Sequence, residues 1–230
     1  MGTQGQAEEQ GMGFEELMRH QNAVYAYLGK LFYTEVDEEQ LEQLRAMKLP
    51  ARTGNEHLDS GYRELVGFLN TSWERTRSDL AVDFVRTFVG LSQEIEQTAH
   101  PYESVYTSPE HLMMQDSRDE VLAAYRSEKV ILDGATEPED HLYFELCFVQ
   151  LLGQRALDAL EAGDEDECVR LLEKRRDFTD EHLLNWVYNF AADVHRLAST
   201  GFYKGAADIL LGAIELDREF LDEALSGEEA

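Results

Sequence analysis

Between Leu142 and Leu160 apolar positions return at steps of four and three: Leu142, Leu146, Val149, Gly153, Ala156 and Leu160, with Phe144, Phe148 and Leu152 widening the stripe. A run of this period and width is an α-helix with a broad buried face, and such a helix belongs at the centre of a larger helical assembly. The rest of the chain follows the same rule. Residues 15–32 carry Leu17, Val24, Leu28 and Leu31 at helical spacing, and Asp37-Glu38-Glu39-Gln40 has the form of a capping box ahead of Leu41, Leu44 and Met47. Tyr62, Leu65, Val66, Leu69 and Trp73 mark a third helix. The stretch SDLAVDFVRTFVG marks a fourth, with Ser78 as its cap, Leu80, Phe84 and Phe88 on one stripe and Gly90 at its end. Ser117-Arg118-Asp119-Glu120 reads as a second capping box before a helix running to about Asp133-Gly134. Beyond the central helix, three more are expected over residues 165–178, 180–198 and 203–225.

No segment alternates with period two, and each of the four prolines falls at a boundary or in a first turn. The expected fold is all-α, a globular multi-helix bundle of about nine helices, with no repeat that would make a solenoid. Its divisions are a flexible N-terminus (1–13), an N-terminal helical part (14–132), a hinge turn (133–136), a C-terminal helical part (137–225) and a frayed tail (226–230). The longest irregular stretch, residues 92–117, includes AHPYESVYTSPEHLMMQD. A long loop in a compact domain is often functional.

Forty-seven acidic residues against twenty Lys and Arg give a formal charge of −27. That field repels nucleic acid and anionic lipid and attracts basic peptides. Cys147 and Cys168 are far apart in sequence and lie in helical patterns, which argues against a disulfide framework or a zinc knuckle. The first twenty residues have neither the apolar core of a signal peptide nor a basic leader, and no segment is apolar enough to span a membrane, so a soluble cytoplasmic protein is expected. No histidine has Glu three positions before it, and HExxH, CxxC, GxGxxG, GxSxG and Walker patterns are absent from the sequence. Neither a metal nor a cofactor is called for. Cys147 reads as core.

Glu137-Pro138-Glu139-Asp140-His141 stands directly ahead of the central apolar run. Thr136 as N-cap and Glu139 three positions on would make a capping box, with Pro138 tolerated in the first turn and the acids favoured by the helix dipole. His141 does not fit that account, since a cationic ring is poorly placed at a helix N-terminus unless Glu137 or an outside partner compensates it.

This pentapeptide matches the E-P-x-D-H signature of the TorD/DmsD-type chaperones of molybdenum-containing oxidoreductases, and the chain resembles that family from about Val24 to Leu160. HPYESVYTSPEHLMMQD is similar to its P-x-E-S-V-Y segment, DFVRTFVG to its aromatic-x-x-Leu-Phe helix with Thr87 in place of the leucine, and VYAYLGKLF to its first helix. The resemblance implies an all-α cytoplasmic chaperone, without catalytic activity, that binds the twin-arginine signal peptide of a molybdoenzyme catalytic subunit until its cofactor is inserted. It implies peptide-binding roles for Phe84, Phe88, Tyr102, Glu103, Ser104, Glu137, Pro138, Asp140 and His141, with Glu137 and Asp140 as acceptors for arginine. Burying about 400 Å² of apolar leader would contribute on the order of 10 kcal/mol before ordering costs, and exposed arginine pairs only about 0.4–2 kcal/mol. The apolar segment should therefore dominate affinity. Three other readings stand beside this one: a NarJ-like assembly chaperone of a non-exported molybdoenzyme, an acidic all-α cofactor- or nucleotide-binding protein, and an acidic adaptor for basic proteins. The expected assembly is a monomer or a dimer that exchanges helices at residues 133–136.

Overall fold

The computed structural model describes residues 13–71, 75–90 and 98–227. The expectations for Trp73, for the flexible N-terminus up to residue 12 and for the tail beyond Gly227 lie outside them.

Among the described residues there are ten α-helices and no strand: α1 (Phe14–Tyr33), α2 (Glu38–Ala46), α3 (Glu56–Thr71), α4 (Thr76–Phe84), α5 (Glu103–Thr107), α6 (Asp116–Ser127), α7 (Leu142–Glu161), α8 (Glu165–Phe178), α9 (Val187–Leu197) and α10 (Gly201–Ser226). Single π-helical turns, Val85–Val89 and Thr179–Leu183, extend α4 and α8. The Asp37 capping box forms as read, with Gln40 N–H donating to Asp37 Oδ1 at 2.8 Å and Asp37 N–H to Gln40 Oε1 at 3.0 Å. Gly90 ends its segment at φ 81°, where the absence of a Cβ is needed.

Three expected starts are corrected. The N-cap of α4 is Arg75, not Ser78, and that of α6 is Gln115, which places Ser117 inside the helix. The central helix α7 begins at Leu142 with His141 as N-cap, so the Thr136–Glu139 capping box does not form. Residues 137–140 are held by contacts with other parts of the chain, and these outweigh the local capping pattern. Helix α6 stops at Ser127 rather than near Gly134.

Helix α7 packs along α1 on one side and α8 on the other, while α3 packs along α10. The helices on either side of residues 133–136 thus share one continuous core, and residues 133–136 are an exposed surface turn with Gly134 at φ 71°. At the meeting of α1, α7, α8 and α10 lies a fully buried ion pair. Arg175 donates to both oxygens of Asp217, at 2.9 and 3.2 Å, and to Asn22 Oδ1 at 2.8 Å, and the Tyr25 hydroxyl completes Asp217 at 2.9 Å. The guanidinium passes so close to α7 that a Cβ on Gly153 would lie 1.9 Å from Arg175 Nη1. Gly153 is therefore required for close approach, and the network links four helices at one point.

Candidate functional site

Two segments that carry the signature residues meet as a short antiparallel bridge between Tyr102 and His141. Glu103 N–H donates to Asp140 O at 3.0 Å and Leu142 N–H to Pro101 O at 2.9 Å. This bridge fixes the start of α5 against the start of α7. Asp140 reaches across it: its Oδ2 accepts from Ser104 N–H at 2.9 Å and from the Ser104 hydroxyl, so the carboxylate sits on the positive end of α5's first turn. Its Oδ1 is buried without a hydrogen-bond partner.

His141 is 3% exposed and enclosed by the rings of Tyr33, Tyr102 and Phe144. Its Nδ1 accepts the Tyr143 N–H at 3.0 Å, which assigns the ring proton to Nε2. Burial pushes the imidazole down to about 3, so it is neutral at the helix start. This resolves the conflict with the helix dipole without Glu137. Glu137 instead accepts the Tyr102 hydroxyl at 2.5 Å, and burial, with Glu137 next, raises the phenol far above its ordinary range. Glu139 forms a two-pronged pair with Arg118, at 2.6 and 3.0 Å.

Behind the bridge lies a second acidic centre, which joins the candidate Glu103 to Glu145, a residue not among the candidates. Glu103, 1% exposed, is held by Asn185 at 2.6 Å and His182 at 3.1 Å. Glu145 is fully buried on α7 and accepts from the Trp186 indole at 3.2 Å. Burial, and then the charges of Glu103 and Asp140, hold Glu145 well above the usual carboxylate range. The signal for it was an acidic residue one position before Leu146 on the most apolar helix.

Of the nine candidate residues, seven are buried and two, Glu137 and Pro138, are half-buried. Six of them (Tyr102, Glu103, Ser104, Glu137, Asp140 and His141) meet at the bridge. Phe84 and Phe88 belong to another cluster, packing on each other at 5.3 Å, with Phe88 against Phe32 at 5.7 Å and Tyr203 at 5.2 Å. Asp140, read from the resemblance as an acceptor for arginine, is buried, with Ser104 holding one of its two carboxylate oxygens. Cys147 is half-buried rather than core, and burial pushes its thiol up.

The surface beside the bridge is formed by residues that the motif did not name. Ser104 Oγ accepts the Gln115 N–H at 3.2 Å, and His111 Nδ1 meets Val105 O at 2.8 Å. Between these anchors Leu112, Met113 and Met114 are exposed by 47, 38 and 59%. His111 and Met114 hold left-handed backbone, φ 53° and 61°, which is strained for non-glycine residues. A cleft of about 560 Å³ adjoins this loop, lined in part by Val105, Tyr106, Glu110, Ala192 and Asp193. Among the described residues no group of three or more His, Cys, Asp or Glu is placed to hold a metal ion, and no helix is long and apolar enough to cross a membrane.

The model of the nitrate reductase delta subunit family matches residues 55–192, more than half of the chain and including both sides of the bridge. The chain belongs to this family. The chain is also similar to proteins named Chaperone protein TorD. That of Vibrio cholerae serotype O1 (strain O395) is 28% identical over 88% of this chain and 92% of its own length. That of Aliivibrio salmonicida is 29% identical over 86 and 93%, and that of Shigella boydii 28% identical over 85 and 94%. These matches cover more of the chain than the family model does.

Proposed function

We propose that this chain is a maturation chaperone of a molybdenum-containing oxidoreductase, which captures the twin-arginine leader of the catalytic subunit in the cytoplasm before cofactor insertion and export. Membership of the family and the relatives named as chaperones support the general role. The observation that carries the leader-binding reading is the exposed Leu112-Met113-Met114 run, held in strained backbone and tied through Ser104 to the signature residue Asp140. Methionine side chains adapt to varied apolar sequences. The cleft beside them offers Glu110 to arginine, while Asp193 on its wall is already paired with Arg196 at 2.7 Å and accepts the Tyr106 hydroxyl at 3.2 Å. In this reading Asp140, Ser104 and His141 position the surface, Glu137 and Pro138 lie at its edge, and Phe84 and Phe88 support it from the core. No catalytic step is required of any of them.

Calorimetry with the leader peptide of a candidate catalytic subunit tests this. Replacing its apolar segment with polar residues should abolish binding, and Lys-Lys for Arg-Arg should weaken it only about two- to thirtyfold, the span of exposed ion pairs. Serine at Leu112, Met113 and Met114 together should remove binding while leaving helicity intact. Unchanged affinity in that variant would refute the assignment. Alanine at Asp140 is a poorer test, since it leaves the Ser104 N–H without its acceptor and disturbs the fold itself.

The family's description as a nitrate reductase delta subunit supports one second reading, in which we propose a NarJ-like assembly chaperone of a molybdoenzyme that is not exported. A partner leader without an Arg-Arg pair, bound as tightly as one with it, would select that reading. Exchange of helices at the exposed turn 133–136 would re-form the α1–α7 and α3–α10 packing between two copies. Size-exclusion chromatography separates that dimer from the monomer.

A further inference from the structure

Away from the signature loop, α1, α3 and α10 enclose a groove of about 260 Å³. Two rows at helical spacing wall it, Leu17 to Val24 on α1 and Ala213 to Glu223 on α10. At 1.5 Å per residue these rows run about 10–15 Å, two to three turns of a visiting helix. Tyr25 lines the groove and is fixed through its hydroxyl to Asp217 at 2.9 Å, so one wall is anchored in the buried ion-pair network.

Two independent features specify what fits. Gln21 lines the groove, is 8% exposed, and has its Oε1 buried without a hydrogen-bond partner. A buried carbonyl without a donor is costly, and a visiting helix has already used its interior backbone N–H groups. The missing donor must therefore come from a side chain such as a hydroxyl, an amide or a cationic group. Glu219 and Glu223 are exposed one turn apart on α10 and line the same groove. On a chain of formal charge −27, this edge disfavours a second copy, anionic lipid or nucleic acid.

We infer that this groove receives the apolar face of a cationic amphipathic helix from a protein partner, with arginine or lysine over Glu219 and Glu223 and a side-chain donor on Gln21. The mode is helix-in-groove recognition, with anchors at i, i+3 or i+4, and i+7. It uses a surface distinct from the Leu112-Met113-Met114 loop.

The test is fluorescence anisotropy with a designed helical peptide of about 15 residues. It carries leucines at those anchor spacings, arginines elsewhere and one glutamine, and its twin has Glu for every Arg. The wild-type chain should bind the cationic peptide and not the twin, with affinity falling as salt rises. Leu216→Glu, at an exposed lining position, and Glu219→Lys with Glu223→Lys should each weaken binding at least about tenfold, with unchanged circular dichroism. The same variants should bind the leader peptide of the preceding section at wild-type strength, so failure of the designed peptide overturns this inference and leaves that reading standing. Absence of binding, equal binding of the twin, or full binding by either variant would each overturn it.

Discussion

Arg175→Ala should lower the free energy of unfolding by about 3–5 kcal/mol, because it strands the Asp217 carboxylate in a site with no access to water. Coulomb attraction in that interior is offset by the cost of removing both ions from water, so the pair is not itself a large source of stability. What is expensive is one member without the other. Asp217→Ala should cost a similar amount, since it also leaves the Tyr25 hydroxyl without its acceptor. Arg175→Met with Asp217→Leu should cost much less than either single change. Gly153→Ala should also destabilise, since its Cβ would meet the guanidinium at 1.9 Å. Urea unfolding of the five proteins, with slopes compared as well as midpoints, measures all of this. If Arg175→Ala shifts stability by less than about 0.5 kcal/mol, as an exposed substitution would, the network does not join the four helices.

The second large effect is on the dependence of stability on pH, and His141 and Glu145 act with opposite signs. The His141 ring is neutral when folded down to about pH 3, but in the unfolded chain it takes up a proton below about 6.5. The unfolded state then binds more protons, so stability is lost as pH falls, by about 2 kcal/mol between pH 7 and pH 5 from this group. Glu145 runs the other way. Its folded value is raised by burial and by the nearby carboxylates, so its contribution is complete below the unfolded carboxylate range and is lost as pH rises through the raised value. His141→Asn, which keeps a capping acceptor, should flatten the loss on the acid side. Glu145→Gln should raise stability near pH 7 by on the order of 1–3 kcal/mol and flatten the loss on the alkaline side. Thermal unfolding from pH 5 to pH 8 gives both slopes. Parallel curves for wild type and both variants would mean that neither group is held as described.

The reason some of this was readable from the sequence and some was not lies in the range of the forces involved. Helical periodicity is a local signal, and it located α1, α8 and the C-terminal end of α7 to within a few residues because each buries a continuous face. Helix starts were less legible. Thr136 and Glu139 have the spacing of a capping box, yet Glu139 pairs with Arg118 and Asp140 with Ser104, contacts made by residues far away in sequence. The signature residues were found, but not their burial, because Asp140 and Glu103 look like any surface acids until the bridge brings their partners. Arg175 and Asp217 were missed for the same reason. Each left a faint trace: Arg175 follows Leu171 and Leu172 on their apolar face, and Asp217 falls between Ile214 and Leu221 on theirs. Gly153 in the middle of the most buried helix was a third trace, since glycine there costs about 1 kcal/mol unless something needs the room. The exposed Leu112-Met113-Met114 run was visible in the sequence, though its left-handed anchoring was not.

Amide hydrogen exchange on the chain with and without a twin-arginine leader addresses the central claim most directly. Leader binding should slow exchange in residues 103–115 and 189–196, around the strained loop and its cleft, while residues 17–24 and 213–223 stay unchanged. A bound leader that leaves 103–115 exchanging at the free rate would contradict the account.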